Sequence, residues 1–308
     1  DFLARLEALE TPAGRITYDY RPRTTIRTLP NGLRTVVEVQ PDGRLKAIQH
    51  VAPDHVVLAQ YTYTYRADGL ISATSEWSPH GEQHITSTYD TTQRLTTVRH
   101  AQKGAFYYAY DTLGHRITST APGEQTSVSL YDWAGRMTHH AGQVSTHDRM
   151  GNITEYARAQ GPVRFTYTPA HTLATVQTGQ AQVSYQWDGD GQLVACQQGA
   201  TIVRFVSDAL YEDWRPVLAL YADGTEACYV WDERGPVALM RANTVRFFLA
   251  DQQSVRLVVD QHSRVVQRYD YTPLGALVGH AGPDGEQKQL FPAFSRWFLD
   301  PATGLYLI

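Results

Sequence analysis

Hydrophobic and polar positions alternate with a period of two over short runs. Tyr61, Tyr63 and Tyr65 share one side of such a run, and Phe106, Tyr108 and Tyr110 share another. This pattern predicts half-buried β-strands, because successive side chains of a strand point to opposite faces. The flanking Tyr, Thr, Val, Phe and Trp are strand formers. At the start, Phe2, Leu3, Leu6 and Leu9 follow a helical spacing instead and predict one short amphipathic helix or linker within residues 1–17.

Between runs the punctuation recurs. Tyr110, Asp111, Gly114 and Ile117 read as strand, tight turn, strand; Asp132 with Gly135, Asp148 with Gly151, Asp188 with Gly191 and Asp232 with Gly235 repeat the phrase. Degenerate copies occur at 63–70, 88–95, 165–173 and 269–277. With the turn position taken at Gln93, Gly114, Gly135, Gly151, His171, Gly191 and Gly235, the steps are 21, 21, 16, 20, 20 and 44 residues, the last being two units with one blurred. A period near twenty marks a repeat architecture. An Asp opening a turn accepts backbone hydrogen bonds, and a Gly closing it takes a positive φ, which together predict the three-residue hairpin loop. Gln93 and His171 occupy the Gly position at a cost of about 1 kcal/mol each. A propeller blade needs about 40 residues and four strands, so a strip of consecutive hairpins fits the shorter unit better. At about ten residues per strand and turn, the chain supplies about 30 strands.

These motifs resemble the YD-repeat, or Rhs-repeat, family of bacterial polymorphic toxins, Tc-toxin B and C components and teneurins, whose signature is approximately Y-x-Y-D-x-x-G-x-L. Three later segments resemble the Rhs-associated core in its order: Asp251, Ser254, Val255, Arg256, Leu257 and Val258; then Tyr269, Asp270, Tyr271, Pro273, Leu274 and Gly275; then Asp300, Thr303, Gly304, Leu305 and Tyr306. The first is one residue shorter than the family pattern and lacks its Gly. The resemblance implies an all-β spiral of hairpins forming part of a hollow shell wall, with repeats over 18–245 and a core segment over 246–308. It further implies a C-terminal toxin as cargo, remaining wall supplied by the same polypeptide or a partner chain, and a secretion chaperone and spike protein as further partners. The expected location is outside a producing bacterium, after a cytoplasmic stage. The sequence begins at Asp1 and stops at Ile308, before the R-Y-Y-D-P segment and toxin domain of the family pattern, and is therefore expected to be a piece of a longer product.

Charge and candidate chemistry change this picture little. Against 31 acidic residues stand 27 basic ones, giving a net charge of −4 without a basic block, so nucleic acid is not an expected partner. No run approaches the roughly 18 apolar residues of a membrane-spanning helix. Cys196 and Cys228 are expected as reduced, packed thiols. His139 and His140 fall on opposite faces of a strand and, with His147, are assigned solvent or packing roles rather than a metal site; no cofactor motif, catalytic elbow or phosphate loop occurs. Trp187, Trp231 and the repeat tyrosines are expected to pack against the next hairpin. An adhesion or carbohydrate-binding module remains the alternative reading. Rhs-type shells carry out aspartyl autoproteolysis, and the resemblance makes Asp300 the candidate carboxylate, with a second one required to share its proton.

Overall fold

The computed structural model describes residues 5–158, 161–179, 181–211, 213–281, 291–300, 303 and 305–307. Twenty-seven strands, from Ala8–Thr11 to Leu277–Ala281, belong to one antiparallel sheet, a meander in which strands pair with their sequence neighbours. Three short strands, Phe291–Pro292, Phe298–Asp300 and Leu305–Leu307, form a second sheet.

The hairpin loops follow the sequence. Across the turn at Asp132 the Asp132 N–H donates to Arg136 O at 2.9 Å and the Gly135 N–H donates to Asp132 O at 3.0 Å. Gly135 has φ +76°, and the register slips by one residue at Tyr131. This is the three-residue loop with its glycine bulge. Gln93 and His171 adopt the same left-handed conformation, both at φ +65°. The hairpin at Asp232 departs from the pattern. Its strands are Glu226–Asp232 and Gly235–Arg241, so only Glu233 and Arg234 turn the chain, and Asp232 lies in the strand, buried.

Of the helix expected within residues 1–17, Phe2 and Leu3 lie outside the described residues, and over the described residues the expectation is corrected. Ala8–Thr11 and Gly14–Arg21 are paired strands with Leu9 opposite Ile16. Ile16, Tyr18 and Tyr20 continue the period-two alternation, and pairing satisfies backbone groups that a short isolated helix leaves open at its ends.

The chain divides into two compact units. One comprises residues 1–106, 230–283 and 293–296; the other comprises 107–229, 284–292 and 297–308. In the first, early strands and late strands share one core: Ile16, Leu33, Val37 and Ile48 from the early set pack with Val237, Phe247, Leu249 and Val259 from the late set. In the second, Trp214 and Tyr229 meet Phe298 edge-on, with ring centroids 5.2 and 5.3 Å apart.

Candidate functional site

The repeat motif is itself a site, and its parts have separable tasks. Asp132 Oδ1 accepts the backbone N–H groups of Ala134 and Arg136 at 2.9 and 3.0 Å, while Oδ2 accepts Arg136 Nε at 2.7 Å. Asp90 does the same with Thr92 and Arg94, Asp111 with Leu113 and His115, and Asp148 with Met150 and Asn152. Asp188 accepts the N–H groups of Asp190 and Gln192. The hydrogen bonds favour the ionised carboxylate: those from Arg94 hold Asp90 down at about 2, and the Arg136 side chain holds Asp132 below the usual range.

At six turns the aromatic residue before the turn reaches back to the preceding hairpin rather than forward to the next. Tyr65 OH donates to Leu45 O at 2.7 Å, Tyr89 OH to Ile71 O at 2.9 Å, Tyr131 OH to Arg116 O at 3.0 Å and Tyr167 OH to Ile153 O at 2.9 Å. Trp187 Nε1 donates to Leu173 O at 2.6 Å, and Tyr271 OH to Val255 O at 2.9 Å. Every acceptor is the first residue of the strand leaving the previous turn. The residue after the turn glycine closes the joint from the other side. His115, held by Asp111, stacks on Tyr131 with centroids 4.6 Å apart, and Arg44, held by Asp42, lies 5.0 Å over Tyr65. At these turns the aromatic residue thus clamps its hairpin to the one before, and at Asp132 the motif's Asp, Gly and Tyr are all employed together.

The first two core segments converge. Arg256 Nη1 and Nη2 donate to the two oxygens of Glu76, both at 2.9 Å; Nη1 also reaches Asp251 Oδ2 at 2.9 Å, and Nε reaches Tyr269 O at 3.1 Å. Burial opposes the guanidinium charge, but Tyr61, Glu76 and Asp251 outweigh it and hold Arg256 protonated. Asp251 Oδ1 accepts the N–H groups of Gln253 and Ser254 at 2.9 and 2.8 Å, which closes this turn without the family's glycine. Pro273 and Gly275 lie in the turn from Thr272 to Ala276, where the Gly275 N–H donates to Thr272 O at 3.0 Å. Glu76 carried no signal in the sequence, because it sits 180 residues from Arg256.

The third segment lies in the other unit. Asp300 is buried, and its Oδ2 accepts hydroxyls from Tyr185 at 2.5 Å and Thr303 at 2.9 Å. Burial, reinforced by the Asp300 charge, keeps the Tyr185 phenol protonated, and the same two causes push the Cys196 thiol up to about 12. Leu305 donates its N–H to Thr303 Oγ1 at 3.3 Å, and Gly304 lies outside the described residues. Cys196 and Cys228 are free thiols. His139 pairs across the strands with Leu130 and Val144, and His140 with Ser129 and Gln143, so the two imidazoles lie on opposite faces. Trp187 and Trp231 are half-buried in the wall. Among the described residues no group of three or more His, Cys, Asp or Glu converges as a metal site, and no helix is long and apolar enough to cross a membrane.

The family model described as Teneurin YD-shell matches residues 11–308. The chain belongs to the teneurin YD-shell family. Its fold is similar to the crystal structure of TcdB2-TccC3, with a TM-score of 0.63 and 15% identity over 97% of this chain and 19% of that one. TcdB2-TccC3 without its hypervariable C-terminal region is similar at a TM-score of 0.53 and 14% identity, over 97% of this chain and 20% of that one. The Tc holotoxin pore of Photorhabdus luminescens follows at 0.51 and 14%, over 95% of this chain and 19% of that one. The YD-shell chain therefore spans about a fifth of the length of these solved chains. No curated protein matches it. A structural shell role follows from the family and the fold.

Proposed function

We propose that this chain is a noncatalytic wall segment of an Rhs-type shell that encloses a C-terminal effector before delivery. The observation that carries the reading is how the motif residues are employed: Asp, Gly and Tyr join one hairpin to the next, and Arg256 and Asp300 are engaged in buried contacts. Side chains engaged this way hold a wall together. The remaining wall comes from the same polypeptide or a partner chain, a secretion chaperone and spike protein serve delivery, and the assembly works outside the producing cell. Within the wall, residues 18–245 are the repeats and 246–308 the core segment.

The test uses the full-length parent. Limited proteolysis is expected to leave the effector intact while the shell is folded and to degrade it once the shell is unfolded; an effector cleaved at the same rate in both states refutes enclosure. Asp300→Asn in the same parent is expected to leave processing unchanged, whereas loss of processing moves the assignment to an aspartyl autoprotease. Trp133, 95% exposed at the tip of its turn, favours adhesion as a second reading. Glycan-array binding abolished by Trp133→Ser supports that reading.

A further inference from the structure

The turn chemistry fixes two positions of each loop, the residue that opens it and the left-handed one that closes it, and leaves the two between them unspecified. In the second unit those positions carry large apolar side chains at three successive turns. Leu113, between Asp111 and Gly114, is 81% exposed; Trp133, between Asp132 and Gly135, is 95% exposed; Met150, between Asp148 and Gly151, is 69% exposed. The next turn adds Pro169 and Ala170, both exposed. Nothing in the loop demands this: the corresponding positions of the first unit hold Pro41 and Asp42, Ala67 and Asp68, and Thr91 and Thr92.

The meander places these turns on one edge of the sheet, because each hairpin sends the chain out and back. Successive turns on an edge are two strands apart, about 10 Å, so the four form an apolar rim of about 30 Å. The opposite edge of the same stretch is trimmed. There Ala141 with Gly142 and Gly199 with Ala200 turn the chain, and no side chain at those positions exceeds a methyl group. An edge of knobs and an edge with gaps fit one another head to tail. The strands hold the two edges apart, so the rim of one stretch finds its gaps on another stretch. Exposed Trp, Leu and Met side chains in one row mark a protein contact rather than a solvated edge. This chain spans about a fifth of the similar TcdB2-TccC3 chain, whose length shows how much further wall such a shell can hold.

We propose, resting on the wall-segment reading, that this rim is a seam on which another stretch of hairpin wall docks by its small-residue edge, with Trp133 as the anchor. The tyrosine clamp joins hairpins along the sheet; the seam joins stretches of wall that are not strand neighbours.

Hydroxyl-radical footprinting read by mass spectrometry compares the isolated chain with the full-length parent, the latter with and without its effector. In the isolated chain Leu113, Trp133 and Met150 are expected to oxidise readily. In both forms of the parent the three are expected to react about tenfold more slowly, in step with their lost exposure. Val128 and Val144, 48% exposed along their strands, are expected to keep their rates. Trp133→Ser is expected to leave the thermal midpoint of the isolated chain unchanged and to restore oxidation of Leu113 and Met150 in the parent; should that parent not assemble, the wild-type footprint decides. Rim residues as reactive in the parent as in the isolated chain overturn the seam, and leave enclosure standing where the effector still resists protease. Protection that vanishes without the effector assigns the rim to cargo, and protection of the isolated chain that grows with its concentration assigns it to a second copy; either overturns the proposal, as does equal protection of Val128 and Val144.

Discussion

His50 is buried among Arg27, Arg234 and Asp251, and burial holds its pKa down at about 4 against 6.5 for an ordinary imidazole. The folded chain thus binds fewer protons at this position than the unfolded chain between those values. Stability from the neutral imidazole is complete above pH 6.5 and is lost as pH falls toward 4, by about 3 kcal/mol. Urea midpoints at pH 7.5 and 4.5 check this: the wild type is expected to lose most of that difference, and His50→Gln to flatten it. Gly275 offers a second test. With φ +93°, a Cβ built there lies 2.5 Å from Phe294 Cδ1, so Gly275→Ala meets both backbone strain and an aromatic ring. We expect about 2 kcal/mol of destabilisation, and less when Phe294→Leu is combined with it, measured by denaturant unfolding.

At the scale of the hairpin, the clamp explains why the repeat is near twenty residues. The donor aromatic and its acceptor carbonyl are 20 residues apart for Tyr65 and Leu45, 18 for Tyr89 and Ile71, and 14 for Tyr167 and Ile153. That span is one strand out, a short connection and one strand back to the next turn. Strand lengths set the spread, which is why the step shortens to 16 residues at Gly151, where the flanking strands Met137–His140 and Gln143–His147 hold four and five residues. Tyr131→Phe and Tyr167→Phe each keep the ring and delete one hydrogen bond, so each is expected to cost about 1 kcal/mol. Hydrogen exchange is expected to speed up in the hairpin carrying the substitution and the one before it. Uniform acceleration across all hairpins speaks against a local clamp.

On the scale of the whole chain, the first unit draws its core from both ends of the sequence, and Arg256 pairs there with Glu76, Asp251 and Asp270. Arg256→Ala leaves Glu76 and Asp251, with side chains 17% and 18% exposed, without their cation. A loss of about 3–5 kcal/mol is expected in denaturant unfolding. The triple replacement Arg256→Met, Glu76→Leu and Asp251→Asn is expected to recover most of it, because the cost arises from stranded charge.

Local information in the chain determined the all-β class, the turn chemistry of Asp111, Asp132 and Asp148, the left-handed Gln93 and His171, and the opposite faces of His139 and His140. Each rests on a few adjacent residues whose sterics and hydrogen bonds operate wherever the segment lies. Five features were decided by tertiary structure: the strand at Ala8–Thr11, the backward reach of the tyrosines, the withdrawal of Asp232 from its turn to meet Arg27 and Tyr18, the pairing of Arg256 with Glu76, and the hydroxyl shell around Asp300. In these, a backbone edge or a buried charge is satisfied by a group from another strand. The separations run from three residues, Asp300 to Thr303, to 214 residues, Tyr18 to Asp232. Sequence spacing does not encode which strand folding brings alongside.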